Sequence, residues 1–376
     1  MQQFLRALHE RLQGLEPAGL RVVIGFDGFV DEIVDAVDRR QSFAEYARMT
    51  TMEQFGRRVL EAAGLSTNIE LVPKGLKLGG NGPIMANALV KCGTSVTYMG
   101  ALGTPNIHPV FGELVEGCSE VYSLAEPGHT HAVEFDDGKI MLGKMGGIHD
   151  VTWASLQAAV GEERLKEAFS DCHLAATLNW TMTPHLPEIW KGLLGLLSPG
   201  EGGEKPFLFV DLCDPGKRQP EDILKALAAI GEFSRFYRVI LGLNRKEASE
   251  VAKARQLSLS KPAEGADLEE IVRALGEDLG LWCLMVHPVA EAGAYLEGEY
   301  YHVQGPFTAK PRLTTGAGDN FNAGFCLGLM LKLKVEQCLA LGKALSGFYV
   351  RQMRSPSWDE LVDFVALWAE KHGKEF

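Results

Sequence analysis

Short apolar runs and amphipathic stretches alternate along most of this chain. "RVVIGF" (Arg21–Phe26), "SVTYMG" (Ser95–Gly100), "HLAATLN" (His173–Asn179), "PFLFVDL" (Pro206–Leu212), "RVILGLN" (Arg238–Asn244) and "LWCLMV" (Leu281–Val286) read as buried strands. Helical spacing follows in "PIMANALVKCG", "PVFGELVEG", "LPEIWKGLLGLL", "PEDILKALAAIGEF" and "KEASEVAKARQL". Three helices close the chain, from Ala317 to about Leu333, Val335 to about Met353 and Ser357 to about Lys371. Repeated strand–helix units predict a doubly wound, mostly parallel α/β sheet with helices on both faces, in one domain spanning residues 1–376.

One region breaks the rhythm. "HTHAVEFDDGKIMLGKMGG" alternates in the strand period and carries Asp137-Gly138 at a hairpin turn. With segments near residues 27–40 and 68–78, the stretch 121–145 is expected to build a small β lid.

Composition narrows the class. Of 376 residues, 46% are hydrophobic and 23% charged, the profile of a globular protein with a large core. The formal net charge of -12 argues against nucleic acid or an anionic membrane as a general partner. Seven cysteines, none in a C-x-x-C pair, predict reduced, buried thiols and a cytoplasmic protein. Phe4, Leu8, Leu12 and Leu15 mark an amphipathic first helix instead of a signal peptide, and no apolar run is long enough to span a bilayer.

Three stretches can carry chemistry. In "TTGAGDNFNAGF", Gly316, Ala317 and Gly318 precede Asp319 at the start of a helix. Such a turn can point amides at a phosphoryl group in flight, with Asp319 placed to take a proton from an attacking hydroxyl. A tight turn with a capping aspartate is the plainer reading. In "LKLGGNGPIMANALV", Gly79, Gly80 and Asn81 form a loop before a helix, where a polyhydroxylated ligand can approach the backbone. The plainer reading is a strand-to-helix turn. In "LGLNRKEASEV", Asn244 ends a strand and Glu247 follows three residues on, so an amide and a carboxylate could hold Mg²⁺ waters and phosphate oxygens. An N-cap with a capping-box glutamate explains the same pair.

Together and in this order, the three stretches resemble the ribokinase-like (PfkB) carbohydrate kinase family, from about Arg21 to Trp368. The resemblance implies transfer of the γ-phosphoryl group of ATP to an alcohol of a sugar or sugar-like substrate, with Mg²⁺. It makes Asp319 the base and Gly316, Ala317 and Gly318 the anion hole. It places Gly79, Gly80 and Asn81 at the acceptor, Asn244 and Glu247 at the Mg²⁺–phosphate group, and Asp31, with Asp27 as second candidate, on the sugar. A homodimer through the lid is the expected assembly.

Three departures stand out, beside one further similarity. The family's D-P-N-x-R is Asp214-Pro215-Gly216-Lys217-Arg218 here. Its T-x-G strand becomes "MVHPVAEAG", with His287, Pro288 and Gly293 at the expected nucleotide contacts. The aspartate before "TTGAGD" is Leu313, which argues against a monovalent-cation site. "GFDGFVDEI" is also similar to ADP-dependent sugar kinases. Nucleoside or vitamin kinases, an ADP-dependent donor and a catalytically silent sugar-binding protein are therefore the alternatives. His129 and His131 share a strand face but lack a third ligand at metal spacing, so they are expected to be exposed lid residues. A Walker loop and a dinucleotide G-x-G-x-x-G are both missing.

Overall fold

The computed structural model describes residues 1–198 and 203–376. Its strands are β1 Arg21–Phe26, β2 Phe29–Arg40, β3 Tyr46–Arg48, β4 Leu71–Gly79, β5 Ser95–Gly100, β6 Glu120–Ser123 and β7 Gly128–Phe135. They continue with β8 Gly138–Lys144, β9 Leu174–Thr177, β10 Phe207–Asp211, β11 Arg238–Leu243, β12 Cys283–Val286, β13 Glu291–Leu296 and β14 Glu299–Gln304.

Nine of these form the main sheet, in the order β14-β13-β12-β11-β10-β9-β1-β5-β6. Every pairing from β12 to β6 is parallel, and β13 runs antiparallel to both β12 and β14. Both faces are covered, which is why the strands are continuously apolar. Ile24, Tyr98, Phe209, Ile240 and Met285 belong to one core, while Val23, Met99, Val210, Leu241 and Leu284 point into the other. The chain runs from β1 outward to β5 and β6, then returns to β9 on the opposite side of β1. That reversal opens a crevice at the carboxyl ends of β1 and β9, the usual place for a ligand in an open α/β sheet.

The second sheet consists of β2, β3, β4, β7 and β8. β2 pairs with β4 and β3 antiparallel and with β7 parallel, and β7 pairs antiparallel with β8. Val34, Ala36, Met49, Val133 and Phe135 give it a small core of its own, against which Phe55 of the helix Met52–Glu61 packs. It can therefore hold its shape as a body apart from the main sheet. The expected lid segment 121–145 divides here, because Glu120–Ser123 pairs with β5 in the main sheet and only β7 and β8 join the second one.

"PVFGELVEG" breaks into a single 3₁₀ turn, Pro109–Phe111, and a short helix, Gly112–Gly117. The first helix, Gln2–Leu12, docks on the last, Trp358–Glu370, and the Trp358 indole donates to the Leu15 carbonyl at 3.1 Å. No helix among the described residues is long and apolar enough to cross a membrane.

Candidate active site

Polar side chains stand at or just past the carboxyl ends of the parallel strands. Asp27 follows β1, Asn179 lies just past β9, Asp211 ends β10, Asn244 follows β11 and His287 follows β12. Across from them stands the N-terminus of the helix Ala317–Met330.

Asp27 is fully buried. Its carboxylate accepts from the Asn81 and Gly82 amides at 2.9 and 2.8 Å and from the Asn179 side chain at 2.7 Å. Burial pushes its pKa up to about 6, against the pull of those three donors. Two of these three donors belong to the Gly80–Gly82 turn, so Asp27 fixes the position of that turn. Asp31 is one element further out, on β2, where its neighbours across the sheet are Lys77 and Thr130. Burial raises its pKa, and the Thr130 hydroxyl and the Lys139 and Lys77 charges oppose that rise. A Cβ on Gly79 would fall 2.4–2.6 Å from the Asp31 carboxylate, so only glycine leaves room for this side chain. Asp31 lines a narrow cleft between the two sheets together with Lys77, Ala132, Leu313, Thr315 and Tyr349. Lys139, on the β7–β8 hairpin, donates to the Thr315 hydroxyl and closes the cleft from the lid side.

Gly316 takes a left-handed conformation at φ 86°, which glycine adopts without strain. The Tyr349 hydroxyl donates to the Thr315 carbonyl at 2.9 Å and holds the turn from behind. The Ala317 amide turns back onto Thr314 at 3.2 Å, whereas the Gly316 and Gly318 amides take no partner among the described residues. Of the three expected anion-hole positions, two therefore keep a free donor. Asp319 is buried in the first helical turn, and its Oδ1 accepts from the Asn81 side chain at 2.9 Å. Burial, with added repulsion from Asp27 and Glu247, pushes its pKa up to about 8 against the Asn81 hydrogen bond.

Asn244 and Glu247 do form the capping box. Glu247 Oε2 accepts from the Asn244 amide at 2.8 Å and Oε1 from the Asp214 amide at 2.9 Å. The capping reading and the phosphate-side reading are thus compatible, since the box fixes a buried carboxylate at a strand end. Asp211 was not singled out by any motif, yet it is buried near the other acids of the site. Its pKa stands well above normal through burial and through Glu247, Asp319 and Asp27 nearby. Its Oδ1 is buried without a hydrogen-bond partner. Among the described residues no three His, Cys, Asp or Glu side chains group closely enough to hold a metal by themselves. The orphaned Asp211 oxygen and the engaged Glu247 suit a Mg²⁺ ion carried on a nucleotide and reached through water.

Beyond the Gly316–Gly318 turn lies a cavity of about 510 Å³, bordered by Asn244, His287, Phe307, Gly318, Phe321 and Lys343. Gly293 is not at its wall. It sits inside β13 opposite Val286 and His302, and the Tyr300 ring occupies the space a Cβ would need, so the expectation of a nucleotide contact there is corrected to a packing position. His131 pairs with Glu32 on the outer face of β7 (2.9 Å), and His129 is exposed beside it.

The prokaryotic ketohexokinase family matches residues 4–368. A ketohexokinase of Haloferax volcanii is 32% identical over 350 residues, which cover 93% of this chain and 91% of that protein. The chain belongs to the prokaryotic ketohexokinase family. As a family member it is a carbohydrate kinase, a phosphotransferase acting on an alcohol group. Its fold is shared with a ribokinase of Thermotoga maritima (TM-score 0.63, 17% identity, 92% of this chain and 99% of that one). A ribokinase of Arabidopsis thaliana complexed with ribose and ATP also shares it (TM-score 0.60, 16% identity, 92% and 99%). So does a point mutant of Escherichia coli phosphofructokinase-2 (TM-score 0.62, 15% identity, 93% and 98%).

The departures of this family member from the wider ribokinase pattern have local causes. Where an asparagine is usual, Gly216 leaves room for Glu250, whose Oε2 accepts from the Gly216 amide at 2.9 Å. Leu313 is buried and lines the narrow cleft beside Asp31. The His287–Pro288 pair turns the chain from β12 into the rim of the nucleotide-sized cavity.

Proposed function

We propose that this kinase transfers the γ-phosphoryl group of ATP to a hydroxyl of a ketohexose, with Asp319 as general base. The observation that carries this reading is the position of the Thr314–Gly318 loop. Leu313 and Thr315 line the narrow cleft with Asp31, whereas Thr314, Ala317 and Gly318 line the larger cavity, and Asp319 follows Gly318 in the first turn of the helix. A single turn thus borders both compartments, as direct transfer between two bound substrates requires.

In this mechanism Asp31 accepts hydrogen bonds from the sugar, and the lid excludes water that would compete as acceptor. Asp319 Oδ2 takes the proton of the attacking hydroxyl while Asn81 holds Oδ1 in place. The new O–P bond forms as the bond to the β-phosphate oxygen breaks, leaving a sugar phosphate and ADP. The Gly316 and Gly318 amides meet the charge on the phosphoryl oxygens. Asp211 and Glu247 would hold Mg²⁺ through water, and the ion would supply charge neutralisation along the phosphates.

A coupled assay with D-fructose as probe, against aldohexoses, nucleosides and polyols, with ATP and ADP in parallel, tests the reading. Turnover highest with fructose and ATP supports it. Preference for a nucleoside, or turnover with ADP alone, replaces it.

A second copy of the chain is the partner this reading assigns to the lid. Leu76 and Leu142 are 54% and 44% exposed on the small sheet, a surface that pairing of two lids would cover. Light scattering on the parent and Leu142→Glu should show a dimer and its loss. A monomeric parent removes the assignment.

A further inference from the structure

Among the described residues that line the nucleotide-sized cavity, Lys343 is the sole Lys, Arg, Asp or Glu. It sits midway along the helix Val335–Gln352 and is only 6% exposed. Its Nζ donates to the Pro288 carbonyl at 2.5 Å and to the Val289 carbonyl at 3.3 Å, and lies 5.2 Å over the Phe321 ring. An ammonium group has three donors, so two carbonyls leave one N–H for whatever fills the cavity that Lys343 lines. Lysines are seldom buried without a charged partner, because losing hydration is costly.

The order of groups along the cavity says which part of a nucleotide it would meet. A Cβ on Gly318 would lie 3.2 Å from His287, and the His287 ring stacks on Phe321 at 4.9 Å. Lys343 comes next in this series of contacts, over the Phe321 ring and against Gly305, and its hydrogen bonds go to Pro288 and Val289 and not to the Gly316–Gly318 turn. We propose that Lys343 is a recognition residue for the nucleoside half of the donor, giving its free N–H to an acceptor atom of base or ribose. This rests on the proposed ATP reading and deepens it.

A protonation signature follows. Burial pushes the Lys343 pKa down to about 7, and Glu291 acts against that drop. Few other charges face it. His287 from the β12–β13 connection is held neutral, its pKa pushed down to about 3 by burial and by Lys343. Glu291 of β13 is itself engaged by His302 (2.7 Å) and Gln304 (3.2 Å) of β14. Phe321 and Gly305, which pack on Lys343 from two other elements, are uncharged. Above its pKa the free lysine is a neutral amine. A ligand that accepts from the ammonium raises the pKa, so binding takes up a proton and weakens as pH rises.

The test is titration calorimetry of the full chain with MgADP and MgAMP near pH 8, in buffers of different ionisation enthalpy. The parent should take up as much as about one proton per nucleotide. Lys343→Met should abolish the uptake and weaken ADP and AMP by the same factor, about 10-fold or more. Lys343→Arg, always charged, should bind without uptake and without the loss of affinity at high pH. If the parent binds ADP with no proton uptake, or Lys343→Met retains the uptake, the inference fails while the donor site stands. Loss of ADP affinity with AMP unchanged would make Lys343 a phosphate contact and also overturn it. No binding of ADP by the parent would remove the ATP reading itself.

Discussion

The side-chain amide of Asn81 donates to Asp319 Oδ1 at 2.9 Å, joining residues 238 positions apart in the chain. The backbone amide of the same asparagine donates to Asp27. One residue therefore fixes the spacing between the Gly80–Gly82 turn and the helix Ala317–Met330, and supplies a hydrogen bond that favours the ionised form of Asp319.

The rate should depend on pH through that bond. Asp319 must be ionised to accept a proton, and its pKa is pushed up to about 8, so kcat/KM should fall as pH drops through that region. Asn81→Ala removes a group that lowers the pKa and leaves the burial, which raises it. The acid limb of the pH profile should then move to higher pH. An unmoved limb would show that a different group controls it.

Asp31 and Gly79 should behave as one unit. Asp31→Ala should raise the sugar KM by roughly 10–100-fold, the usual effect of leaving buried hydrogen-bond partners unpaired next to a charged group. Gly79→Ala should produce the same selective rise, because its Cβ would occupy the carboxylate's place. Nucleotide KM should change little in either variant. Steady-state kinetics with both substrates varied would expose a mistaken placement as a selective rise in nucleotide KM.

Asp211→Asn should couple metal response and stability in opposite directions. The Mg²⁺ concentration for half-maximal rate should rise by roughly 10–100-fold. Because the folded-state pKa of Asp211 is raised above its ordinary 3.8, the fold favours the neutral form. That favourable contribution is complete below about pH 4 and lost as pH rises through the folded pKa. In EDTA near neutral pH the amide variant should therefore melt at a higher temperature than the parent, and the gap should close toward pH 4. A variant that melts lower at neutral pH and keeps its Mg²⁺ response would leave Asp211 without this role.

The repeating strand–helix units and the three motifs were legible because parallel strands buried on both faces are continuously apolar, and because phosphate-binding turns need glycine. Less was visible where tertiary contacts decide the structure. The β13–β14 hairpin went unread because two of its core-facing residues, Ala292 and Ala294, are small and join Leu296 and Val303 there, while Tyr300 and His302 pair with side chains nearby. Asp211 looked like one more residue in an apolar run, although an acid at the carboxyl end of a parallel strand was a usable signal. Asn179 takes its role from a left-handed backbone and a contact with Asp27, 152 positions away, which no local pattern reports. Lys139 and Lys343 each derive their meaning from a surface brought to them by the fold.

The central claim is tested most directly by the kcat of Asp319→Asn with MgATP and D-fructose at about pH 8. The amide keeps the shape and the Asn81 neighbourhood but cannot take the proton. The account predicts a fall of roughly 10²–10⁴-fold in kcat with nucleotide KM nearly unchanged. A kcat close to that of the parent would contradict it.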